Sequence, residues 1–112
     1  MLASEASHKM QDGKRTLDLR KQAGIWLRSR RTELGLSQRE LAQRVKVEYY
    51  TFISQIEAGR GRVPAERLSD WSKALEMDPK EFAVNIMRYY DPYVYEMVFG
   101  SGIEHNVTEN CD

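Results

Sequence analysis

The sequence predicts an all-α protein, on three observations. Apolar residues recur at helical spacing in successive segments separated by short turns. Start and stop signals punctuate those segments: Ser37-Gln38-Arg39-Glu40, Asp78-Pro79, and glycines at Gly35 and Gly59. The length, 112 residues, suits one small domain with tails, able to bury a real but modest core.

Residues 1–15 are polar and charged, contain Gly13 and lack periodicity, and read as a disordered arm. Thr16 is placed to cap a first helix running to about Glu33, with Leu19, Ala23, Trp26, Leu27, Arg30 and Leu34 at helical spacing. Arg28 and Arg30 read as solvated or near phosphate. Gly35 is the stop. In the second helix Ser37 and Glu40 form a capping box: the Ser37 hydroxyl accepts from the N–H three residues on, and Glu40 reaches back to the N–H of Ser37. Leu36 and Leu41 sit at the positions of a hydrophobic staple, and Leu41, Ala42 and Val45 share a face.

A third helix begins near Glu48 or Tyr49. At about 100° per residue, Tyr49, Phe52, Ile53 and Ile56 gather on one side and pack inward. Thr51, Ser54, Gln55 and Ala58 gather opposite, with Tyr50 at the edge. Short hydrogen-bonding groups on an outward face are what a helix needs to lie against base edges in a major groove. Arg60-Gly61-Arg62 follows directly, and guanidinium and backbone N–H groups both serve phosphates. Pro64 suits the first turn of a fourth helix, whose apolar face is Leu68, Trp71, Ala74 and Leu75. Asp78-Pro79 opens a fifth, with Phe82, Ala83, Ile86, Met87 and Tyr90 as its stripe. A five-helix globule is complete at about Met87.

The segment 88–99 holds five aromatics in twelve residues, more apolar density than a tail needs. Asp91-Pro92 suits the start of a sixth short helix, whereas Tyr93, Tyr95, Met97 and Phe99 alternate like a strand. The helix is preferred. Either the segment folds back on the core or it meets a second subunit; the second is preferred, with Tyr89, Tyr90, Tyr93, Tyr95, Met97 and Phe99 as the candidate surface for a homodimer. Residues 100–112 read as a disordered tail.

Net charge is zero, but its distribution is not even. From Lys14 to Arg62 there are twelve Lys/Arg against five Asp/Glu; from Val63 onward, four against ten. The basic half coincides with the second and third helices, which favours a polyanion partner there. The lone cysteine, Cys111, forms no intramolecular disulfide and no zinc set. No signal peptide or membrane-spanning run is read, so a cytoplasmic location is expected. His8 and His105 lie in opposite tails, no nucleophile–base set or phosphate-cradling glycine motif is found, and no enzyme is expected. No cofactor, metal or small-molecule ligand is expected either.

The stretches LSQRELAQRV (Leu36–Val45) and ISQIEAG (Ile53–Gly59) resemble the helix-turn-helix of phage-repressor and Cro-type transcriptional regulators, also called the XRE family, over roughly Trp26 to Phe82. The resemblance implies a compact five-helix, lambda-repressor-like DNA-binding domain, placed at residues 16–88, with the aromatic segment 89–99 added for dimerisation. It implies double-stranded DNA as partner, an inverted-repeat operator and, most often, repression. Tyr50, Thr51, Ser54 and Gln55 match base-facing positions. Gln38 matches a position that clamps a phosphate, joined in that role by Arg39, Arg60 and Arg62. Arg31 and Glu57 match a pair that ties the first helix to the recognition helix. Two departures stand out. Lys46 occupies a turn position where the family usually has glycine, and the interval from Val47 to Ile53 is one residue longer, which leaves the angle of the third helix open. An alternative within the same fold is an antitoxin-type or accessory protein that binds a protein partner through its C-terminal segment and autoregulates through DNA.

Overall fold

The computed structural model describes residues 2–100, with side chains from residue 13 onward. Among these the chain is all helical: α1 (Leu2–Glu33), α2 (Gln38–Arg44), α3 (Thr51–Glu57), a 3-10 turn (Ala65–Arg67) leading into α4 (Leu68–Ala74), α5 (Pro79–Tyr90) and α6 (Pro92–Phe99). The tail expected beyond Gly100, with His105 and Cys111, lies outside the described residues.

The first helix starts earlier than its sequence pattern suggests. The stretch expected to be a disordered arm is helical from Leu2, and Thr16 lies inside α1 rather than capping it. Ala3, Glu5, Ala6, Lys9, Met10 and Gln11 are good helix formers, and only Gly13 weighs against continuation, by about 1 kcal/mol relative to alanine. The segment's mostly polar and charged composition is what reads as an arm.

The core is built from Ala23 and Leu27 of α1, Leu41 and Ala42 of α2 with Val45 just after it, Ile53 and Ile56 of α3, Val63, Trp71, Ala74 and Leu75, and Phe82, Ile86 and Tyr90 of α5. Helix α1 packs on α5 and α3, α2 on α3 and α4, and α4 on α5. Trp26 is half-buried against the rings of Phe82 (centroids 5.6 Å apart) and Tyr89 (6.0 Å). The segment from 89 onward is not separable at that residue: α5 runs through it to Tyr90.

Local chemistry sets the helix ends. At α2, Glu40 N–H donates to Ser37 Oγ (3.0 Å) and Ser37 N–H donates to Glu40 Oε1 (2.7 Å). That backbone N–H, then the Ser37 hydroxyl and the charge of Arg44, hold the Glu40 carboxyl below the usual range. Its contribution is therefore present above the ordinary glutamate pKa and fades as pH falls through the lowered one. Asp78 caps α5 by accepting from Glu81 N–H (3.0 Å), with Pro79 in the first turn.

Helices α2 and α4 end alike. Lys46 N–H donates to Gln43 O (3.2 Å) and Val47 N–H to Ala42 O (3.0 Å); Glu76 and Met77 repeat the pattern onto Lys73 and Ser72. Both are Schellman closures, which need one left-handed residue. Lys46 (φ 60°) and Glu76 (φ 56°) supply it without being glycine. Arginines then cover the last carbonyls of α4. Arg30 donates to Leu75 O (2.8 Å) and Glu76 O (3.0 Å), and Arg44 to Ala74 O (2.9 Å), where the helix dipole favours cations. Arg30 is thus a cap within the fold rather than a solvated or phosphate-facing residue.

Candidate nucleic-acid interface

The geometry of the site begins behind it. Glu57, at the end of α3, is buried and accepts three hydrogen bonds. Arg31 Nε donates to Oε2 (2.7 Å), Arg31 Nη2 to Oε1 (3.0 Å), and Gln38 Nε2 to Oε1 (3.0 Å). Arg31 Nη1 also donates to Leu36 O (2.7 Å), so one guanidinium joins α1, the α1–α2 turn and α3. The side chains are 10% and 4% exposed. A bidentate, buried pair of this kind fixes orientation as well as charge.

Two glycines complete the anchor. A Cβ on Gly24, in mid α1, would overlap the carbonyl of Glu57. A Cβ on Gly59 would lie 2.8 Å from Lys21 Cγ, and its φ of +82° is itself a glycine conformation. So α1 crosses the C-terminal end of α3 at backbone contact. Gly59 is legible as a helix stop; Gly24 has no sequence signal of its own, because a mid-helix glycine reads only as a small penalty.

Held this way, α3 presents its other face outward. It begins at Thr51, two or three residues later than the sequence suggests, with Tyr50 as its N-cap. Within it Ile53, Ile56 and Glu57 face inward. Tyr49 (67% exposed) and Phe52 (37%) are surface residues, not core as their spacing suggested. Thr51 and Gln55 are exposed and Ser54 half-buried. Ser54 Oγ donates to Thr51 O (2.9 Å), and Gln55 Oε1 accepts from Arg60 Nε (2.9 Å). The exposed Arg39 guanidinium lies 4.4 Å from the centre of the Tyr50 ring. Tyr50, Thr51, Ser54, Gln55, Arg39 and Arg60 thus border one surface.

Two candidates for phosphate contact are engaged elsewhere. Gln38 is half-buried on Glu57, with one amide N–H used there. Arg62 stacks over Tyr90 (4.6 Å) and donates to Asp91 Oδ2 (3.3 Å), tethering the α5–α6 corner.

The aromatic segment is also redistributed. Tyr90 is 6% exposed, and its hydroxyl accepts from Val63 N–H (3.2 Å), so it belongs to the subunit core and not to an interface. Burial raises its phenol pKa, with the Val63 N–H and the Arg62 and Arg20 charges acting against that. Tyr89 is packed on Trp26. In α6, Tyr95 and Phe99 are half-buried one turn apart, their rings 4.8 Å from centre to centre. The alternation of odd-numbered residues would unite them on one face only in a strand; in a helix the faces are set by steps of three and four. The exposed apolar face is Tyr93 (53%), Val94 (50%), Met97 (87%) and Val98 (58%).

Residues 27–82 match the family model described as Helix-turn-helix. No curated protein and no solved structure matches the chain. Among the described residues no helix is long and apolar enough to cross a membrane.

Proposed function

This chain belongs to the helix-turn-helix family of Cro and phage-repressor type, whose members bind DNA and regulate transcription, and we propose that it is a cytoplasmic repressor acting as a homodimer on an inverted-repeat operator. The observation that carries this is the division of α3. Its inward residues are locked to α1 by the Arg31–Glu57 pair, and its outward face carries the polar Thr51 and Gln55, exposed, and Ser54, half-buried, beside the exposed cations Arg39 and Arg60.

Each residue then has a role. Gln55 reads an adenine: its carbonyl oxygen has two lone pairs, one holding Arg60 and one left for N6, while its amide donates to N7. Thr51 meets a thymine methyl, and Ser54 a neighbouring base edge. Tyr50, stacked by Arg39, touches sugar or backbone. Arg39 and Arg60 bind phosphates, and Gln38, oriented by Glu57, keeps a second N–H for one. Arg62 serves the α5–α6 corner first.

A single recognition helix contacts too few base pairs to specify a genomic site, so a second subunit is required. The exposed face Tyr93, Val94, Met97 and Val98 supplies the two-fold contact. Repression follows by occupancy of the site.

The test is a titration of wild type and Gln55→Ala against a selected site and its single-base variants. The expected loss is about 1–3 kcal/mol, with preference relaxed at one base pair per half-site. Unchanged affinity and preference would remove Gln55 from the reading surface. A monomer that binds DNA only with a second protein seated on α6 would favour the accessory-protein reading.

A further inference from the structure

Helix α1 is much longer than the motif needs, and its free cations are arranged. Lys21 lies against Gly59, the residue before Arg60. On a helix, residues seven apart return to within about 20° of one another. Lys14, Lys21 and Arg28 therefore share one side of α1, about 10.5 Å apart along the axis, at 1.5 Å per residue. All three are exposed. Among the described residues none of them has an ion pair, whereas Arg30, Arg31, Arg44, Arg62 and Arg67 each have an acidic partner. Asp18 is the nearby acid on the same helix, and it forms no ion pair with them.

Asp18 stands four residues after Lys14 and three before Lys21, on the row's own side, so the row is three cations to one acid and keeps a net positive charge that is electrostatically open to a polyanion. Its position decides which. The middle member sits at the exit of α3, beside the loop that carries Arg60, and the row extends along α1 in both directions from there. On the DNA-binding reading of α3, the row therefore lies beside the groove-facing helix, where the partner is a duplex backbone. We propose that Lys14, Lys21 and Arg28 form a phosphate-binding track that grips the DNA backbone just outside the base pairs read by α3. This rests on the DNA-binding reading of α3. The track adds affinity and salt dependence and no base preference, because phosphate contacts carry no sequence information.

The experiment uses the full chain and the triple variant Lys14→Gln, Lys21→Gln, Arg28→Gln, with Lys21→Gln alone as a milder companion. The probes are duplexes recovered by wild-type selection from a random library, either trimmed to the edge of the selected motif or extended by one turn of mixed sequence on each side. Thermal denaturation confirms that the variants fold. On the extended duplex the triple variant should bind roughly tenfold more weakly, and its log affinity against log salt should flatten by about 2 to 3, at about 0.9 per phosphate. On the trimmed duplex the two proteins should bind alike, and base preference should not change. Equal affinity and slope on both lengths would overturn the proposal, as would a changed base preference or an equal loss on both duplexes. Failure of wild type to enrich any motif would instead overturn the reading of α3, and the track with it. Binding to anionic lipid vesicles that the triple variant loses, without any duplex effect, would assign the row to a membrane surface and overturn the proposal while leaving α3 intact.

Discussion

Helices α3 and α6 are nearly the same length, and they are held in opposite ways. The end of α3 is fixed from three sides: a buried carboxylate with three donors, two isoleucines in the core, and two glycines that bring α1 to backbone contact. Helix α6 has no buried residue and no side-chain cap; it packs on α5, keeps Tyr95 and Phe99 half-buried, and shows Met97 and Val98 to solvent. Charge is inside at α3, and apolar surface is outside at α6. Under the proposed function the difference separates two roles. A helix that must present side chains in fixed register needs an anchor that specifies orientation. A helix with an uncovered apolar face supplies area for a partner.

The largest expected effect is at the α3 anchor. Arg31→Met or Glu57→Gln should each destabilise by about 3–5 kcal/mol, because the remaining group stays buried without its partner. The double variant should lose much less than the sum, read by thermal or chemical denaturation. Losses near zero in the single variants would reduce the anchor to a surface pair.

Next is Gly24→Ala. The new methyl meets backbone and not a flexible side chain, so α1 must lift off α3. Overpacking of this kind costs about 1–3 kcal/mol, and DNA affinity should fall with stability. An unchanged protein would mean that the helices are not in backbone contact.

The turn that aims α3 offers an effect of opposite sign. Lys46 is left-handed, which costs a side-chain residue about 1–2 kcal/mol; glycine adopts it freely but loses about 0.5–1 kcal/mol in chain entropy. Lys46→Gly should therefore stabilise by about 0.5–1 kcal/mol. A loss on denaturation would show that the lysine side chain contributes something its exposure does not suggest.

The smallest effect on folding is expected at α6. Met97→Lys with Val98→Lys should change subunit stability by within about 0.5 kcal/mol, as exposed sites do. The pair should nevertheless turn a dimer into a monomer on sedimentation. A variant that sediments like wild type would move the interface away from this face.

How much of this was legible in the sequence varies by residue. The capping box at Ser37 and Glu40, the Asp78-Pro79 start and the Gly59 stop carry local chemistry and could be located directly. The core of α4 and α5 followed from periodicity. The start of α3 did not, since its N-cap Tyr50 makes no side-chain cap bond and the closure at Lys46 uses a left-handed lysine that no composition rule flags. Placing α3 two or three residues too early is what assigned Tyr49 to the core; Phe52 is within α3 in both readings, next to Ile53 and Ile56 on the wheel, and is 37% exposed. Tyr90 was read two ways: the α5 stripe placed it inward, where it is, and the aromatic run placed it on the dimer surface, where it is not. Its partner is the N–H of Val63, twenty-seven residues away in sequence, and no local pattern signals such a bond. The close approach at Gly24 is likewise a tertiary fact.

If an anchored α3 reads DNA while α6 pairs the subunits, the DNA that the full chain selects from a random duplex library must carry the symmetry of the dimer. The expected product is an inverted repeat whose half-site centres lie about 34 Å apart, one helical turn, or a multiple of it. The Met97→Lys, Val98→Lys protein should recover only a single half-site, more weakly. Selection of no motif at all, or of one unrepeated site by the wild-type chain, would contradict that division of roles.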